Sequence, residues 1–153
     1  MAKTNPKKLD PYRKLARYLN TLPAGYPATN SGVEIDLLKK LFTEQEAKLA
    51  VHLRLINEPT VVIARRADWP PDQVETLLDG MAQKGLIAVS NQTEGSPQYA
   101  VSQFVIGFWE GQVNQLDHEA VDLFETYGPI WFDQGPWKTL PEVRTIPIHE
   151  TIT

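Results

Sequence analysis

The chain has 153 residues, a formal net charge of -4 and no cysteine. That length suffices for one ordinary domain with a real core. A composition of 42% hydrophobic and 22% charged residues argues against both wholesale disorder and a membrane protein. The missing cysteines exclude, within these residues, a disulfide framework, a thiol nucleophile and any cysteine-ligated zinc or iron–sulfur centre. No apolar run reaches the roughly 18 residues of a membrane span, and the lysine-bearing start has no apolar stretch behind it. The expectation is a cytoplasmic protein.

Charge is unevenly spread. Residues 1–84 hold 13 Lys/Arg against 10 Asp/Glu, and residues 85–153 hold 2 against 9. Lys3, Lys7, Lys8, Arg13, Lys14 and Arg17 crowd the amino-terminal end with only Asp10 opposing them. That end suits an acidic partner, including nucleic acid or the chain's own acidic half.

Leu9, Tyr12, Leu15, Ala16, Leu19 and Leu22 recur at three- and four-residue steps, which predicts an amphipathic helix to about Thr21, broken by Pro23, Gly25 and Pro27. Ser31-Gly32-Val33-Glu34 has the form of a capping box and predicts a helix from Val33 to about Phe42. Thr43-Glu44-Gln45-Glu46 repeats the signature before a third helix whose apolar stripe runs from Ala47 through Leu53 to Ile56. Thr60–Ala67 is read as a short helix from its context, although Val61-Val62-Ile63 favours a strand by propensity alone.

Pro71 suits the first turn of the next helix, which has Val74, Leu77, Leu78 and Met81 on one face and stops at Lys84-Gly85. Leu86–Val89 and Gln98–Val101 read as two strands of a hairpin. A further helix is expected over Phe104–Val113, and Asp117 caps another with Ala120, Leu123, Phe124 and Tyr127 inward. From Gly128 onward the pattern reads as an irregular, aromatic- and proline-bearing extension or linker arm.

Helix, short helix, longer helix and hairpin is the order of a winged helix-turn-helix unit. The expected fold class is therefore mainly α with a small β-hairpin: a winged helix-turn-helix core with additional flanking helices. Its parts are a basic helix and loop over 1–32, the core over 33–102, packing helices over 103–127 and the extension over 128–153.

Ser31–Glu34 followed by Leu37–Thr43, together with Leu77–Ile87 (LLDGMAQKGLI), Tyr99–Glu110 (YAVSQFVIGFWE) and Val143–Pro147, resembles the amino-terminal region of bacterial and archaeal ferredoxin-type iron–sulfur proteins. The resemblance covers about residues 9–127 and the Val143–Pro147 stretch. It implies a winged-helix-like segment ahead of cysteine-rich four-iron four-sulfur motifs. Those cysteines would follow the matched region, so no cluster ligand carries over. The expectation is either the front piece of a longer redox protein or a stand-alone relative without clusters, with no cofactor in this chain.

The helix over Pro71–Lys84 is the one that would enter a DNA major groove. Its outward positions are Asp72, Gln73, Glu75, Thr76, Asp79, Gln83 and Lys84, three acids to one base. The predicted wing, Leu86–Gln103, has no Lys or Arg. Phosphate neutralisation supplies most non-specific affinity, so this pattern points to a module for self-association or protein docking, with a DNA-binding regulator as the alternative.

Residues able to contact DNA or an acidic partner are Arg13, Lys14, Arg17, Arg65, Arg66, Gln73 and Thr76. Trp131, Phe132 and Trp137, in the irregular stretch, are candidate interface anchors. His52, His118 and His149 have no metal spacing; His118 and Asp122 share a helix face, but no third ligand is evident. No nucleophile elbow, zinc-protease or phosphate-loop pattern is present, so neither a catalytic nor a metal residue is expected.

Overall fold

The structure is a computed structural model describing residues 9–91 and 95–136. It is mainly helical with one small antiparallel sheet. In chain order come α1 (Pro11–Leu19), α2 (Val33–Leu41), α3 (Glu44–Ala50), β1 (Glu58–Pro59), α4 (Thr60–Ala67), α5 (Pro71–Gln83), β2 (Ile87–Ser90), β3 (Gln98–Val101) and α6 (His118–Gln134). The expected succession of three helices and a hairpin over 44–101 is present, with β1 added as a third strand. The sheet order is β1-β3-β2, in a register that places Glu58 and Val89 on either side of Tyr99.

Local chemistry sets most boundaries. Asp10 caps α1, its carboxylate accepting from the Arg13 amide at 3.3 Å, and Pro11 occupies the first turn, where a missing N–H is harmless. Thr43 and Glu46 form the expected capping box of α3 at 3.3 and 2.8 Å. The same Glu46 oxygen accepts from Lys84 Nζ at 2.6 Å, tying the start of α3 to the end of α5. α4 is helical despite its β-branched run, and it buries Ile63 and Ala64.

Four expectations need correction. The cap of α2 is not a box: Gly32 stands at the N-cap with φ +80, and the Glu34 carboxylate accepts from Thr29 Oγ1 rather than reaching back to the cap backbone. α3 stops at Ala50 and does not run to Ile56, because the chain must turn there to reach β1; the Arg54 carbonyl instead accepts from the Val101 amide at 2.8 Å. Phe104–Val113 is not one helix. Val105, Ile106 and Gly107 leave helical geometry, and only a single tight turn at Glu110–Gln112 follows. Residues 128–134 are not irregular, since α6 continues through them to Gln134 with Pro129 inside it.

On either side of the break at Val105–Gly107, Phe104 and Phe108 are both buried in the core. Phe104 sits among Tyr26 (5.3 Å between ring centroids), Phe108 (5.4 Å), Tyr127 (5.4 Å) and Trp131 (5.8 Å). Around it, buried polar tips are satisfied: Tyr26 donates to the Glu34 carbonyl at 2.8 Å, Tyr127 to the Pro27 carbonyl at 3.0 Å and Trp131 Nε1 to the Ala24 carbonyl at 3.1 Å. Trp109 stacks on Phe124 at 3.9 Å. These contacts seat α6 and the 23–31 loop against α2 and the sheet.

Gly85, with φ +71, backs directly onto Gly111; a Cβ on Gly111 would lie 2.1 Å from the Gly85 carbonyl oxygen. Gln112 then donates to the Lys84 carbonyl at 2.6 Å, closing the end of α5. Gly111→Ala should therefore lower stability by about 1–3 kcal/mol through overpacking, read as a fall in thermal midpoint. Phe104→Ala should lower it further, by about 3–5 kcal/mol, measured by urea denaturation followed through tryptophan fluorescence.

Candidate interaction surfaces

The outer face of α5 exposes Asp72, Gln73, Glu75, Thr76 and Asp79. Lys84, its one cation, is committed to the buried Glu46 carboxylate. Tyr99 Oη, from β3, donates to Asp79 at 2.5 Å, so the hairpin braces the acidic side of the helix. Burial, then the bond to Asp79, drives the Tyr99 pKa well above its ordinary value, leaving the phenol a neutral donor. The surface a winged helix would offer to a major groove is thus acidic, and the described part of the hairpin adds no cation.

The predicted cations do not form one patch. Arg13, Lys14 and Arg17 are exposed on α1, which packs on α2 and α3 rather than on α5. Arg13 and Arg17 border a small cleft that Glu34 also lines. Lys14 lies instead on the α3 side, in a groove of about 460 Å³ shared with Leu9, His52 and Trp69. Burial, then the nearby Arg66 and Lys14 charges, push the His52 pKa below its ordinary value and so favour the neutral ring.

Arg65 is exposed on α4, but Arg66 is not available as a contact residue, which corrects the expectation. Its guanidinium forks onto Glu58 of β1, Nη1 at 2.8 Å and Nη2 at 2.5 Å, and Nη1 also reaches the His52 carbonyl at 2.5 Å. A bidentate pair of this kind is directional and charge-assisted. Nothing in sequence spacing distinguishes Arg65 from Arg66; only the side of α4 that meets β1 does.

The candidate anchors also separate. Trp131 is 6% exposed and part of the core, because α6 continues far enough to turn it inward; it is not a surface anchor. Phe132, one residue on, is 52% exposed and borders an open apolar groove with Val105, Phe124 and Pro129. Trp137 lies outside the described residues. Sequence reasoning passed over another set: Leu55 (48% exposed), Ile56 (62%), Val61 (58%) and Val62 (39%) stand in solvent on the turn after α3 and the first turn of α4. Apolar periodicity places Ile56 in a helix stripe, and so hides it from a search for surface residues.

Among the described residues no group of three or more His, Asp or Glu is placed to hold a metal ion, and no helix is long and apolar enough to cross a membrane. The chain has no cysteine, so its residues do not fit as thiolate ligands of an iron–sulfur cluster. No protein-family model matches this chain, and no curated protein matches it in sequence.

The Glu58–Arg66 pair makes a pH prediction. The Arg66 hydrogen bonds hold the Glu58 carboxyl below its ordinary value of 4.5. A carboxylate depressed in the folded state stabilises above its unfolded pKa, and that stabilisation is lost as pH falls through the folded value. Glu58→Gln should lower stability at pH 7 by about 1–3 kcal/mol. Urea midpoints taken from pH 7 to 3 should then fall less steeply for Glu58→Gln than for the unaltered chain, so that the two converge in acid.

Proposed function

We propose that this chain is a non-catalytic, cytoplasmic winged-helix module that docks a protein, another copy or a different one, rather than a reader of DNA. The observation that carries this is the acidic outer face of α5, with Asp72, Glu75 and Asp79 exposed and Lys84 neutralised by Glu46. A duplex needs cations where this helix presents carboxylates. The resemblance over residues 9–127 further supports reading the chain as the front part of a ferredoxin-type protein, whose clusters would be bound by cysteines of a following segment.

The second reading, a DNA-binding regulator, rests on Arg13, Lys14 and Arg17, exposed on α1 and in no ion pair among the described residues. Electrostatic binding through α1 would be insensitive to sequence, because phosphate contacts position a protein without specifying bases.

Fluorescence anisotropy with a labelled duplex at physiological salt separates the two. The docking reading expects no saturable complex tighter than the roughly 10⁻⁴ to 10⁻⁶ M of non-specific binding. A tighter complex that weakens steeply with salt, and is abolished by reversing Arg13, Lys14 and Arg17 to Glu, would overturn the docking reading, and would establish the regulator if it also discriminated between duplex sequences.

A further inference from the structure

We infer that the turn after α3 and the first turn of α4 form the docking surface, and that its partner is a protein segment with an aliphatic stripe flanked by carboxylates. This rests on the docking reading above and specifies its site and partner chemistry. Leu55, Ile56, Val61 and Val62 are all large, aliphatic and exposed within eight residues of chain. Scattered exposed aliphatics are ordinary, whereas a group with a charged border marks an interaction surface.

The fold ties together the two stretches that carry them. Val62 stands one helical turn before Arg66, so the two share a flank of α4. Arg66 fastens that flank to the Glu58 carboxylate and to the His52 carbonyl, at the head of the turn that carries Leu55 and Ile56. The surface therefore does not need to assemble on binding: the turn is already pinned to α4, with Val101 of β3 holding the Arg54 carbonyl from the other side. Pre-organisation of this kind reduces the ordering cost of association.

The charge around the surface selects the partner. Arg54 and Arg65 are exposed at its two ends and take part in no ion pair among the described residues. The acid between them, Glu58, is buried and already paired with Arg66. An aliphatic centre with a net cationic rim fits an aliphatic stripe with an anionic rim, since opposite charges at a rim guide encounter and like charges reject wrong partners. The same argument excludes a second copy using this same face, because a two-fold contact would set arginine rim against arginine rim.

Two synthetic helical peptides test this, identical in their leucine stripe and differing only in flanking Glu or Lys. Titrated into the full chain at low salt, the Glu peptide should shift the backbone amide resonances of residues 54–65 and bind about tenfold or more tightly than the Lys peptide. Arg54→Glu with Arg65→Glu should reverse that preference, and Val61→Ser with Val62→Ser should weaken both peptides. All four positions are exposed, so unchanged circular dichroism and thermal midpoint are expected and are checked first.

Equal binding of the two peptides, shifts confined to other residues, a preference that survives the arginine reversals, or self-association mapped to residues 54–65 would each overturn the inference. If the peptides fail while the duplex also stays unbound, only this surface and its partner chemistry fall. Tight, salt-sensitive duplex binding would remove the docking reading itself.

Discussion

The Phe104 ring is the point at which the two halves of the molecule meet. α1 to β3 bury an aliphatic interior built on Leu15, Leu37, Leu38, Leu49, Leu53, Ile63 and Leu78, and the 23–31 loop and α6, which also packs on α2, share common ground beside it. Phe104 supplies that ground by meeting Tyr26 from the loop and Tyr127 and Trp131 from α6 at once. Edge-on and tilted ring contacts add directional attraction to the area buried. Each neighbouring polar tip reaches a backbone carbonyl in the loop or in α2, so the cluster hides phenol and indole groups without leaving them unsatisfied.

That arrangement commits the aromatic residues inward and leaves little of them for binding. The electrostatics follow the same economy. Glu46 serves a helix cap and Lys84 together, and Glu58 holds Arg66. Lys40 bridges to Asp117 and Glu119 across the α2–α6 contact at 2.6 and 2.5 Å, though an exposed pair of this kind contributes little. Among the described residues, the cations that remain outside ion pairs are on α1 and at Arg54 and Arg65, and none of them is on α5. A fold whose element order invites comparison with DNA readers thus carries its unspent positive charge elsewhere.

Much of the helical pattern was legible beforehand because local rules decide it. Thr43 with Glu46, Asp117 before α6 and Pro71 at the start of α5 are each self-contained signals that need no distant partner. The readings that failed involve competition from afar. Ile56 continued an apolar stripe but was displaced when the chain turned toward β1. Phe104–Val113 carried helical spacing, yet Val105, Ile106 and Gly107 leave helical geometry between the buried rings of Phe104 and Phe108. Glu34 was expected to reach back to the cap backbone, but its carboxylate accepts from Thr29, five residues back on a loop that Tyr26 ties to α2.

The candidate surfaces divide in the same way. By itself the sequence determined the acidic face of α5 and the concentration of cations in α1, because helical periodicity alone places residues on a face. Tertiary structure decided which charges remain available and which apolar groups stay outside. Arg65 and Arg66 are neighbours of identical chemistry, separated by whether β1 lies alongside; Trp131 and Phe132 are separated by which side of α6 meets Phe104. Periodicity records the side of an element, but its surroundings depend on contacts between residues far apart in the chain.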